Sequence, residues 1–171
     1  MTVVIHGVHE EIDELLERRR ALGQDGRDEV WDGVYHMAPH AHVNHGVLQV
    51  KLVLQLAARL QAQGYVMVNE FNLGLDKQNY RVPDFGALDG NPGTLYVPSA
   101  VMIGEIVSPD DETFEKFDFY HSRGVQEIVV VLPDTRQITC YGRTDAGYAV
   151  TPQIQCAGIS ALELSTAIDW P

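Results

Sequence analysis

The stretch Arg81-Val82-Pro83-Asp84-Phe85-Gly86, and the run that follows it from Ile103-Gly104-Glu105-Ile106-Val107-Ser108-Pro109 to Lys116, decide how this chain is read. Each of two hydrophobic runs carries one acid where alternation predicts an inward side chain. If Tyr80–Leu88 is a strand, Val82, Asp84, Gly86 and Leu88 share a face. In Val101–Val107 the shared face holds Val101, Ile103, Glu105 and Val107. A carboxylate on an apolar face is costly unless something pairs with it. Two of them on neighbouring strands call for a cation, either a metal or a lysine. Lys116 follows on a predicted short helix.

Working outward, Val8–Leu22 reads as an amphipathic helix stopped at Gly23, with Arg18, Arg19 and Arg20 as a solvated basic end. Asp32-Gly33 between β-formers in Asp28–Met37 predicts a tight hairpin, ended by Pro39. His42–Gln63 is the longest helical pattern: Leu48, Leu52, Leu56 and Leu60 form one stripe that projects back to His45, with Gln49 beside it. Tyr65–Leu73, Tyr80–Leu88 and Val101–Val107 read as strands, and Asp89–Gly93 as a loop. The acids at Asp110–Glu112 start a helix running to Ser122. Glu127–Leu132 is apolar enough to be a strand buried on both faces. Ile138–Tyr141 and Tyr148–Val150 read as a second hairpin, and Gln153–Pro171 gives no clear signal. The order fits one domain over 1–171, an α/β (α+β) mixed sheet flanked by helices, with an extra N-terminal helix and hairpin.

The chain has 171 residues, 45% hydrophobic and 21% charged, enough for a full core in one domain. No apolar run approaches the roughly 20 residues that span a bilayer, and the start shows no signal peptide, so a cytoplasmic protein is expected. Cys140 and Cys156 are isolated and are expected as free thiols, Cys140 in a buried strand. The net charge of -12 repels nucleic acid at long range, so any such function needs a local patch or metal ions.

Two carboxylates on adjacent strands bind a hard cation through oxygen. Such a cation polarises a phosphoryl oxygen and acidifies water, and a lysine stabilises developing charge. Asp84, Glu105 and Lys116 therefore have the parts for phosphodiester hydrolysis. The competing reading is a pair of structural acids salt-bridged to Lys116 or Arg81. His36, His40, His42 and His45 crowd together without cysteine partners and fail the spacing of a histidine metal motif, so most are expected on a polar loop. No phosphate-binding glycine loop and no Gly-x-Ser-x-Gly elbow is present.

Val82-Pro83-Asp84, Glu105-Ile106-Val107-Ser108-Pro109, Lys116, Tyr120, Gly124-Val125 and Leu132-Pro133-Asp134, with Asp32-Gly33, Ala38-Pro39 and His45 upstream, form an ordered set. It resembles the Uma-type restriction endonucleases, a branch of the PD-(D/E)xK nuclease superfamily, over roughly Glu29–Tyr148. The resemblance implies a restriction-endonuclease-like fold, with a helix, a three-stranded meander, a helix and a strand. It implies Asp84 and Glu105 as ligands of Mg²⁺ or Mn²⁺, aided by a main-chain carbonyl near Ile106. It places Lys116 in the role of the motif lysine, because Val107 occupies the usual position. His45 and Gln49 would bring polar groups from the first core helix to the metal. The implied activity is endonucleolytic cleavage of DNA, and a homodimer would serve two cuts. A binding protein that has kept the acids, or a metal-dependent hydrolase of a small phosphorylated substrate, are the alternatives. A basic rim drawn from Lys77, Arg81, Lys116 and Arg123 would favour DNA.

Overall fold

The computed structural model describes residues 3–5, 10–38, 41–108 and 112–171, with backbone alone at 10–12. The expected Pro39 stop, His40 and the helix start at 110–111 lie outside the described residues.

In chain order, β1 (Val3–Ile5) and α1 (Glu10–Ala21) precede the hairpin β2 (Glu29–Trp31) and β3 (Val34–Met37). Then come α2 (Val43–Ala62), β4 (Val66–Asn69), β5 (Asn72–Asp76), β6 (Asn79–Arg81), β7 (Phe85–Leu88), β8 (Tyr96–Val97) and β9 (Met102–Ile106). A 3₁₀ turn over Thr113–Lys116 leads into α3 (Phe117–Ser122). The chain finishes with β10 (Glu127–Leu132), β11 (Gln137–Thr144), β12 (Gly147–Thr151), β13 (Gln153–Ile154), β14 (Ile159–Ser160) and α4 (Ala161–Ala167).

The central sheet is mixed, in the order β12-β11-β10-β9-β7-β4. Its β4, β7 and β9 form an antiparallel meander, and β10 returns parallel to β9 after α3. That parallel return needs a crossover, which the 3₁₀ turn and α3 supply. A second sheet, β1-β3-β2-β6-β5-β8, holds the extra N-terminal hairpin. The Asp32-Gly33 turn is as expected, with both residues at positive φ of 49° and 84°.

Helix α2 lies on one face of the central sheet. Leu48, Leu52, Leu56 and Leu60 are fully buried there with Phe85, Met102, Ile106, Val129 and Val131. Truncating one such leucine costs about 2–5 kcal/mol. The opposite face packs Leu88, Ile103, Ile128 and Val130 around Tyr120 of α3. Glu105 alternates with Met102, Gly104 and Ile106 and lies on the side of Ile103 and Tyr120, as the alternation predicts. Val101 departs from it: it precedes β9 and packs with the α2 side.

Four readings need correction. Tyr80–Leu88 is not one strand: Pro83 has no N–H for a ladder, and the chain leaves the second sheet at Arg81 to join the central one at Phe85. Tyr65–Leu73 is split in the same way, at Glu70, whose φ of 40° turns the chain between sheets. Arg19 is not solvated: it pairs with buried Asp28 at 2.7 Å, and that carboxylate also accepts from the Tyr35 hydroxyl and the Ala38 amide. The tail does carry structure. Ser160 and Glu163 form a reciprocal capping box at the start of α4, a signal legible as Ser-x-x-Glu in the sequence.

Cys140 and Cys156 are free and buried, and burial raises both thiols, Cys140 to about 12. Among the described residues no helix is long and apolar enough to cross a membrane.

Candidate active site

The site grows from the corner that Pro83 creates. Phe85 pairs with Gly104 across the antiparallel β7/β9 ladder, so Asp84 enters the sheet opposite Glu105. Gly104 is required by that pairing, because a Cβ there would lie 2.0 Å from the Phe85 ring. The Ile106 amide donates to Asp84 Oδ2 at 2.8 Å, tying the two acidic segments together.

Both carboxylates are 4% exposed. Burial, first of all, pushes Glu105 up to about 8, and the nearby charges of Asp84 and Glu29 push the same way. Lys116 and the Tyr120 hydroxyl oppose the rise. Tyr120 donates to Glu105 Oε1, and its own phenol is raised by burial and by that carboxylate. Lys116 Nζ, at the end of the 3₁₀ turn, lies 3.3 Å from Glu105 Oε1 and 2.9 Å from Glu29 Oε1. The lysine is thus beside the second acid, although Val107 occupies the usual motif position.

Glu29 was not anticipated. It sits in β2 of the extra hairpin, is buried, and accepts from the Val82 amide at 2.8 Å and the Trp31 indole at 2.7 Å. Its place at the head of the β-forming pair Val30-Trp31 was its one sequence signal. Arg27 was missed as well. Its guanidinium donates to Asp84 Oδ1 and approaches Glu70 Oε1 at 3.5 Å. No sequence pattern marks it, since it lies in the turn before β2.

His45 and Gln49, one helical turn apart near the start of α2, both reach Asp84. His45 Nε2 lies 2.9 Å from Asp84 Oδ1, whereas Gln49 donates to the Asp84 main-chain carbonyl and so holds the corner rather than the carboxylate. A cavity of about 270 Å³ opens beside His45, between Leu48, Val107 and Trp170. The other histidines have separate tasks. His36 is buried, stacks on Trp31 at 4.2 Å and pairs with Glu112, contrary to a loop position. His42 caps α2.

The expected basic rim is not assembled by its four candidates. Arg81 is buried, clamped between Trp31 and Phe119 with its charge on the Val30 and Tyr80 carbonyls. Arg123 leans over Phe119, and Lys77 is exposed on the β5–β6 turn. Of these four, only Lys116 stands at the acids.

Among the described residues no group of three His, Cys, Asp or Glu side chains is arranged to hold a metal. The donor chemistry nevertheless fits a hard divalent ion. Two buried carboxylates come from adjacent segments and offer oxygen, the donor that such an ion prefers.

A solved structure described as a putative nuclease belonging to DUF820 from Anabaena variabilis superposes with a TM-score of 0.66. It is 15% identical and covers 82% of this chain and 90% of its own, which gives the restriction-endonuclease-like fold. No curated protein matches the chain. The family described as "Putative restriction endonuclease", Uma2, matches residues 10–168, and the chain belongs to that family.

Proposed function

We propose that this protein is a cytoplasmic, metal-dependent endonuclease that hydrolyses phosphodiester bonds in DNA. Family membership supports a nuclease. The observation that carries the chemistry is the convergence of Asp84, Glu105 and Lys116, with the ammonium 3.3 Å from Glu105. In this reading Asp84 and Glu105 hold Mg²⁺ or Mn²⁺, which supplies positive charge for the phosphoryl oxygen and the attacking water.

The remaining work falls to the chain's own groups. Lys116 orients water and stabilises charge that develops on oxygen. Glu29 fixes the ammonium from its far side. Tyr120 fixes the Glu105 carboxylate, and Ile106 and Gln49 fix the Asp84 segment. His45 holds the Asp84 carboxylate from α2 and also lines the cavity formed with Leu48, Val107 and Trp170. Water adds to phosphorus as the bond to the leaving oxygen breaks. A homodimer would supply two such sites for the two strands of a duplex.

One observation favours a second reading, a binding protein of the same fold. Asp84 is paired with Arg27 and Glu105 with Lys116, so each acid has a cation without any metal. A cleavage assay on supercoiled and single-stranded DNA with Mg²⁺ or Mn²⁺ separates the two. The nuclease reading expects metal-dependent nicking that chelation stops. Loss-free DNA at every metal concentration favours the binding protein.

A further inference from the structure

We propose that Arg27 is a phosphate-binding residue held in reserve on Asp84, which a divalent cation releases toward the substrate when it takes that carboxylate. The inference rests on the metal reading of the site. Arg27 Nη2 and His45 Nε2 converge on one oxygen, Asp84 Oδ1, while Oδ2 accepts from the Ile106 amide. Arg27 therefore occupies the side of Asp84 on which a cation is attracted. A divalent charge bound there repels a guanidinium a few ångströms away, and in a site this buried the repulsion is weakly screened. One of the two cations must yield.

Arg27 is built to yield. Its side chain is 22% exposed, against 12% for Lys116, which two acids grip. Arg81 is locked between two rings. Glu70 gives the departing guanidinium a second anchor, 3.5 Å from Nε. Glu70 is fixed relative to the site, because its amide donates to the Asp84 carbonyl at 3.2 Å. The guanidinium can thus keep its Nε end at Glu70 while its Nη end turns to solvent. A planar fork of donors matches the two free oxygens of a phosphodiester. The arrangement also supplies the local cation that a chain of net charge -12 needs to hold DNA.

The test compares wild type, Arg27→Gln and Arg27→Lys. Calorimetry with MnCl2 alone measures metal affinity, and cleavage of a DNA oligonucleotide at several salt concentrations measures KM. With its competitor removed, Arg27→Gln is expected to bind Mn²⁺ about tenfold tighter. Its KM for DNA should rise several-fold, and its salt slope should fall by about one unit, as for one lost phosphate contact. Lysine should restore the salt slope in part. Unchanged or weaker Mn²⁺ binding by Arg27→Gln overturns the proposal, as does an unchanged KM. Should that variant not fold, the wild-type Arg27 guanidinium resonance is followed during a MgCl2 titration. A shift with the midpoint of metal binding supports release, and an unmoved resonance overturns it. Equal metal binding by wild type and variant defeats this inference alone. No metal binding by either defeats the metal reading beneath it too.

Discussion

Glu29 and Lys116, 87 positions apart in sequence, form a 2.9 Å ion pair between the N-terminal hairpin and the turn that follows β9. The hairpin is therefore part of the site wall rather than an appendage. Both side chains are about nine-tenths buried, so the pair is poorly screened by water. It makes the lysine a held group, with one acid on each side.

Removing Glu29 should consequently impair chemistry through Lys116. Glu29→Gln keeps the shape and the hydrogen-bonding atoms but drops the charge. Cleavage is expected to fall about tenfold or more while Mn²⁺ affinity changes little, since Glu29 is not among the proposed ligands. Stability should fall by less than the roughly 3–5 kcal/mol of a buried pair broken outright, because Lys116 keeps Glu105 as a partner. Parallel measurement of kcat, metal affinity and melting tests this. A variant with normal kcat and only a lowered melting temperature would make Glu29 purely structural.

Lys116→Ala should nearly abolish turnover, by about a hundredfold or more, because loss of one electrostatic group at a reacting centre commonly costs roughly 3 kcal/mol. Arginine should rescue poorly, as a planar guanidinium differs in shape and hydration. If the lysine only neutralises Glu29 and Glu105, the variant should instead melt early, and Mg²⁺ should restore its stability. Cleavage and melting on the same preparation distinguish the outcomes.

Metal should raise the melting temperature of wild type. Binding to the folded state alone is worth about 2.7 kcal/mol at a hundredfold excess over Kd. Asp84→Asn should remove most of that response, having lost an anionic ligand. An undiminished thermal shift in the variant would exclude Asp84 as a ligand.

The pH dependence follows from Glu105. Its folded value, about 8, lies above its ordinary 4.5, so the folded state binds the proton more tightly than the unfolded one. Metal-free stability should then fall as pH rises from about 4.5 to about 8, by at most about 1.4 kcal/mol per pH unit. Glu105→Gln should flatten that part of the profile. With Mg²⁺ present the trend should reverse, because only the carboxylate form binds the ion. Chemical denaturation across the window, with and without metal, checks both signs.

Gly104→Ala should damage the fold itself. The new Cβ would meet the Phe85 ring at 2.0 Å in a fully buried place, an overpacking that costs at least about 1–3 kcal/mol. A melting temperature within a degree of wild type would contradict the close β7/β9 approach that brings Asp84 opposite Glu105.

Local pattern determined much of this protein. The leucine stripe of α2, the Asp32-Gly33 turn, the apolar β10 and the two acids on adjacent segments were all legible, because periodicity and turn chemistry act over a few residues. The capping box of α4 was legible by the same rule and was overlooked. Pro83 was in plain view too, but its consequence was not: only the sheets on either side show that it carries the chain from one to the other. Tertiary structure alone decided that Glu29 and Arg27 join the site, and that Arg81 leaves the rim for a slot between Trp31 and Phe119. Those pairings join residues tens of positions apart. Which cation meets which acid depends on burial and distance, and no local spacing encodes either.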